Sequence, residues 1–177
     1  MNDPVWVFGY GSLIWRPDFP YLETRPGHVT GWARRFWQGS HDHRGVPAEP
    51  GRVVTLIEAA GERCVGRAYL VEPTVFEHLD HREKNGYEQR RVEIIFDDGP
   101  AHGLVYIGAP GNFAYLGDAP VADIVAQIHL SQGPSGTNAD YLLQLAEALR
   151  QLDADDPHVF ELEHQLLELR GTVSASH

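Results

Sequence analysis

The densest run of ionisable side chains is Leu79-Asp80-His81-Arg82-Glu83-Lys84-Asn85-Gly86-Tyr87. As a plain helix end it would be a solvated terminus, with Arg82 and Lys84 favouring the C-terminal dipole. As a site it would hold one carboxylate, Glu83, flanked by bases at the rim of a sheet. Burial there would raise its pKa toward neutrality and fit it for general acid–base work. A second stretch, Gly9-Tyr10-Gly11-Ser12-Leu13, follows a short apolar run and reads as a tight turn. It lacks the third glycine of a dinucleotide fingerprint and the Gly-Lys-Ser/Thr of a phosphate loop. Its surviving chemistry is that of free backbone N–H groups in a concave turn, an anion nest.

Other candidate chemistries fall away on inspection of spacing. His78 and His81, or His41 and His43, supply two potential ligands each, fewer than the three or four that zinc requires. No metal is therefore expected. Cys64 is the only cysteine and lies in Arg63-Cys64-Val65-Gly66, a strand start with no visible thiolate stabilisation. No Gly-x-Ser-x-Gly elbow is present, so a single acid–base residue suits the chain better than a covalent nucleophile. Arg34 and Arg35 lie among Trp32, Phe36 and Trp37, but successive strand residues face opposite ways, so at most one can join a given site.

Composition narrows the partners. A net charge of −11 disfavours nucleic acid and anionic membrane surfaces, both of which select cationic proteins. Apolar residues at 42% and charged residues at 22% match an ordinary folded domain. The first residues carry no basic and apolar leader pattern, and no apolar run approaches the ~20 residues of a membrane span. A cytoplasmic setting is expected.

The elements that must position these groups follow from periodicity. Val5-Trp6-Val7-Phe8 suits a buried strand, and Gly31 to Gln38 a second, after a proline-rich excursion from Trp15 to Pro26. Gly39 to Gly51 is a long polar loop, of a length often functional. Arg52–Glu58 and Cys64–Val71 are expected to pair as a hairpin across Ala59–Arg63. Pro73 opens a short helix that Gly86 ends. Val92, Ile94 and Phe96 alternate as in a half-buried strand, and Gly103–Ile107 pairs with it. Three helices then follow on Val121/Ile124/Val125/Ile128, Leu142/Leu145/Leu149/Leu152 and Val159/Leu162/Leu166/Leu169. Asp156 caps the last, with Pro157 at its first position. Strands in front and helices behind indicate one α+β domain over residues 1–177.

Taken in order, several segments resemble the ChaC-like family of glutathione-specific γ-glutamylcyclotransferases. They are Phe8–Trp15, Arg34–Ser40, Asp42–Pro47, Pro50–Leu56, Leu79–Tyr87, Gly133–Gly136 and Tyr141-Leu142. The resemblance runs from about Val5 to Arg170. It implies a small closed or nearly closed mixed β-barrel with helices packed on it, and a helical C-terminal third. It also implies a catalytic glutamate at Glu83 beside the Tyr10-Gly11-Ser12-Leu13 turn, with no cofactor and no metal. The family's reaction releases 5-oxoproline and cysteinylglycine from glutathione. Leu13 sides with the glutathione branch, since related enzymes for γ-glutamyl amino acids tend to carry asparagine there. Asp118 departs from the proline expected at that place and leaves its loop's conformation open.

On that reading the backbone of Tyr10 to Leu13 holds a carboxylate or the developing oxyanion, and Tyr141 donates a hydrogen bond to substrate. Arg44 or Arg34 is expected to meet the glycine carboxylate. The expected partner is a small molecule, glutathione, with no obligate protein partner evident. Two other classes stay open: a cyclotransferase for γ-glutamyl amines or dipeptides, and a catalytically silent binding module of the same fold.

Overall fold

Five strands close into a barrel in the computed structural model, which describes residues 3–79 and 86–175. They are β1 (Val5–Gly9), β2 (Glu23–Ser40), β3 (Gly51–Val71), β4 (Glu88–Phe96) and β5 (Gly99–Ile107). Around the ring the order is β1-β3-β2-β4-β5. Pairing is antiparallel except at the β1–β5 seam, where Trp6 lies opposite Gly103 and Val7 opposite Leu104 in parallel. The mixed barrel implied by the resemblance is thus present.

The unbroken apolar run of β1 has a direct cause. Successive strand residues face opposite ways, and both faces of β1 are covered. Phe8 enters the main core with Leu56, Ile94 and the helices, while Val7 enters a second cluster with Tyr69, Val71 and Leu79.

One expected element is absent. Arg52–Glu58 and Cys64–Val71 do not fold back on each other; they are two halves of the single strand β3, and both pair with β2. The register slips between Thr30↔Arg63 and Trp32↔Glu58, so β3 carries extra residues around Gly61 as a bulge. Gly61 and Gly31, on the facing strand, both have φ of +82°, which bends the ribbon there. β2 likewise begins at Glu23, earlier than periodicity indicated.

The helices α2 (Val121–Leu130), α3 (Asn138–Gln151) and α4 (Pro157–Ala175) lie where 3.6-residue spacing places them. Ile128, Leu142, Leu145, Leu149, Val159, Leu162 and Leu166 are fully buried among them. Asp156 Oδ1 accepts the Val159 N–H at 3.1 Å, the expected cap. Between α2 and α3, β6 (Gln132–Gly133) and β7 (Gly136–Thr137) form a two-rung hairpin, and the Thr137 hydroxyl caps α3. A short helix, α1 (Phe76–Leu79), follows the 3-10 turn Pro73–Val75. The Asp118 loop is anchored rather than loose: the Leu116 and Gly117 N–H groups donate to Trp37 O, and Gly117 O accepts from Arg52.

Candidate active site

β1 ends at Gly9, and the chain turns through Tyr10 and Gly11 into the 3-10 turn Ser12–Ile14. Glycine is required at position 11 because a Cβ would lie 2.9 Å from both the Tyr141 hydroxyl and a Val54 methyl. Two hydrogen bonds hold this turn from outside. The Tyr10 hydroxyl donates to Tyr106 O at 2.6 Å, and Arg34 Nε donates to Tyr10 O at 2.8 Å. Tyr10 therefore contributes its backbone to the turn while its ring and hydroxyl anchor it.

The turn faces a cavity of about 480 Å³ where it meets the β2–β3 loop and the start of α3. Ser12, Ser40, Arg44, Tyr87, Ser135 and Tyr141 line it, and a smaller recess bordered by Tyr10, Gly11 and Leu13 shares Ser12, Tyr87 and Tyr141 with it. A volume in this range is typical of a small-molecule site. Of the residues expected at a site, the structure brings Tyr10, Gly11, Ser12, Leu13, Arg44 and Tyr141 around these two adjoining spaces. Glu83 lies outside the described residues.

Arg44 is buried on the cavity wall. Its backbone N–H donates to Ser40 Oγ at 2.8 Å and one guanidinium nitrogen donates to Thr137 O at 3.1 Å. The guanidinium also sits 5.7 Å from the centre of the Tyr141 ring. Among the described residues no carboxylate pairs with it. Burial lowers its pKa from the ordinary arginine value, and the nearby Arg16 adds to that effect. A guanidinium carries five donors, so much of this one's capacity faces the cavity unspent.

Tyr141 is also buried, with its ring edge-on to Trp15 and Phe36. Its oxygen accepts the Val54 N–H at 3.2 Å, which leaves the hydroxyl proton to be donated. Burial pushes its pKa well above the usual phenol value, so it remains a neutral donor at any working pH.

Arg34 has a different fate from the one expected of it as a carboxylate ligand. It is buried, ion-paired to Asp156 at 2.9 Å, and bonded to Tyr10 O and Val65 O. This guanidinium is consumed in tying β1, β3 and α4 together. Cys64 lies 3.0 Å from it, and burial raises the thiol pKa to about 11, so the cysteine is a core residue without thiolate character.

His41, Asp42 and His43 line the same cavity, with His43 Nδ1 3.0 Å from Ser135 Oγ. The β2–β3 loop is pinned around them by the Ser135 N–H bond to His43 O, and a Cβ on Gly133 would meet the backbone of His43 and Gly45. Sequence reasoning missed Arg16, Ser40, Tyr87 and Ser135 as cavity residues. All four end, adjoin or lie within motifs already singled out, which was the available signal; that they share one cavity depends on how distant loops meet.

A closed mixed barrel with packed helices and a glycine turn bordering a polar cavity is the architecture of γ-glutamylcyclotransferases. A solved structure of this kind, a γ-glutamyl cyclotransferase specific to glutathione from yeast, is similar with a TM-score of 0.86 at 31% identity, over 94% of this chain and 97% of that one. The family model described as ChaC-like protein matches residues 5–169, and the chain belongs to that family. Curated relatives include γ-glutamylcyclotransferase 2-3 of Arabidopsis thaliana, 46% identical over 92% of this chain and 88% of the relative. Glutathione-specific γ-glutamylcyclotransferase 1 of Danio rerio is 44% identical over 92% and 89%.

Proposed function

We propose that this protein is a γ-glutamylcyclotransferase that degrades glutathione, releasing 5-oxoproline and cysteinylglycine. The observation that carries the reading is Arg44: a buried cation without a carboxylate partner among the described residues, beside the Tyr141 hydroxyl and the Tyr10–Leu13 turn. That trio suits a small molecule with carboxylates at both ends.

Glutathione carries its own nucleophile, since the α-amine of its γ-glutamyl unit can close a five-membered ring on the γ-carbonyl. Holding the folded-back conformer contributes several kcal/mol by the effective-molarity argument. The C–N bond of the ring forms, the amide C–N bond breaks, and the departing nitrogen needs a proton. Glu83 takes a proton from the α-ammonium, which frees the amine's lone pair to attack, and gives a proton to the leaving amide nitrogen as its bond to carbon breaks. Tyr87, which closes the same Leu79–Tyr87 motif, lines both spaces, and this supports a part for that motif in the site. Backbone N–H groups of Tyr10 to Leu13 hold a carboxylate or the developing oxyanion, Tyr141 donates to the substrate, and Arg44 meets the glycine carboxylate. The reaction as written uses no cofactor, and a cytoplasmic setting fits an enzyme of this pool.

Glu83→Gln tests the assignment. The shape is kept and the base removed, so release of 5-oxoproline should fall by about 10²–10⁴-fold while calorimetry still records glutathione binding. Near-normal release would remove Glu83 as the base.

A further inference from the structure

Arg44 is not alone on the cavity wall. Arg16 also lines it, delivered there by the 3-10 turn that follows Gly11: its own N–H donates to Ser12 O at 2.7 Å, which fixes the backbone that carries the side chain. Arg16 is exposed, and among the described residues its guanidinium has no carboxylate partner. Asp18 and Asp42 line the same cavity, yet neither forms an ion pair with Arg16 or Arg44 among the described residues. Asp42 is largely exposed and lies 3.8 Å from His43 instead. Two cations thus line one cavity without an ion pair to either among the described residues, although the field of Asp140 still reaches Arg44, and their repulsion favours the arrival of an anion. Burial lowers the Arg44 pKa, with Tyr141 and Asp140 opposing the fall and Arg16 adding to it.

We infer that Arg16 is a specificity-determining residue, which together with Arg44 clamps the C-terminal carboxylate of the substrate. The site thereby demands a γ-glutamyl peptide with a free terminal carboxylate and discriminates against γ-glutamyl amines and esters. This inference rests on the cyclotransferase reading above. Arg44 is the fixed jaw, buried and held by Thr137 O. Arg16 is the mobile jaw at the surface, where a long side chain can reach a carboxylate as it enters. The division of labour predicts that Arg16 acts on substrate capture and leaves the chemical step largely alone.

The test compares glutathione with its glycine monoethyl ester on the wild type, Arg16→Ala and Arg16→Lys, with thermal unfolding recorded to show that all three are folded. Esterification takes the carboxylate from both arginines, so it should cost the wild type at least about 100-fold in kcat/KM, carried by KM. R16A should lose about tenfold on glutathione and less than twofold on the ester, and R16K should recover part of the glutathione loss. Equal losses by R16A on both substrates, or none on either, would overturn the clamp. If the wild type releases no 5-oxoproline, the cyclotransferase reading fails separately. Calorimetry with the same two ligands then decides the clamp: R16A must weaken glutathione binding selectively, and equal binding of acid and ester by the wild type sinks it.

Discussion

Arg34 and Arg44 are both buried arginines on the barrel, ten residues apart in sequence, and they do opposite work. Arg34 meets a carboxylate, two carbonyls and a thiol, so its charge and its donors are both spent inside the fold. Arg44 has a carbonyl and an aromatic face, and its remaining donors look into a cavity. The lesson is that burial alone does not mark a binding cation. What sets Arg44 apart, and supports the role proposed for it, is desolvation without an ion pair among the described residues, since a buried charge left unpaired is costly unless a ligand completes it.

Substitution of each arginine should separate these roles. Arg34→Met strands Asp156 and unties the Tyr10 carbonyl, so unfolding by denaturant should show a loss of about 3–5 kcal/mol. Arg44→Met removes a charge that no carboxylate pairs with among the described residues, at the cost of one hydrogen bond to Thr137 O, about 1 kcal/mol. Its denaturation midpoint should stay near the wild type, while kcat/KM for glutathione falls about 100-fold, about 2.7 kcal/mol. A reversal of these two phenotypes would break the comparison.

Acid should attack the Arg34 side first. His158 on α4 accepts the Phe36 N–H at 3.0 Å through Nε2, and burial, with Arg35 nearby, lowers its pKa from 6.5 to about 4. The unfolded chain therefore takes up a proton that the folded one refuses. Its contribution is fully present above pH 6.5 and is lost as pH falls toward 4, a drop of about 2–3 kcal/mol. His158→Gln should flatten that part of a stability-against-pH curve; an unchanged slope would assign the acid loss elsewhere.

The smallest effect sharpens the Arg44 side. Tyr141→Phe leaves the Val54 N–H without its acceptor, at about 1 kcal/mol in denaturant unfolding. If the hydroxyl also donates to substrate, kcat/KM falls about tenfold beyond any change in the folded fraction.

Much of this was readable in the chain. The three C-terminal helices were legible because their apolar residues keep a 3.6-residue beat that no sheet could bury. The Gly11 requirement was half legible: two glycines around Tyr10 announce a turn, but only Tyr141, far along the sequence, explains why a side chain is forbidden there. The β3 bulge was misread as a hairpin because Ala59-Ala60-Gly61-Glu62 has turn composition either way. Whether the chain reverses there depends on β2, which has its own bend at Gly31. Arg34 and Arg44 could not be told apart because Asp156, the partner that consumes Arg34, is set by the packing of α4. Glu83 came from motif and resemblance, not from any local pattern that distinguishes it from a solvated helix end.

The parallel seam between β1 and β5 has a consequence for how the molecule is made. β1 leads into the turn that borders the cavity, yet it is held by Val71 and its neighbours on one side and by Gly103 on the other. During synthesis β1 emerges long before either partner, and closing the ring across so much chain is entropically slow. The turn therefore takes its working shape only after most of the barrel has been translated, and Arg34 cannot complete its pair until Asp156 follows. A nascent chain stalled before α4 would have every cavity residue translated but would lack the Asp156 partner of Arg34, so the Tyr10 turn gains its last anchor late.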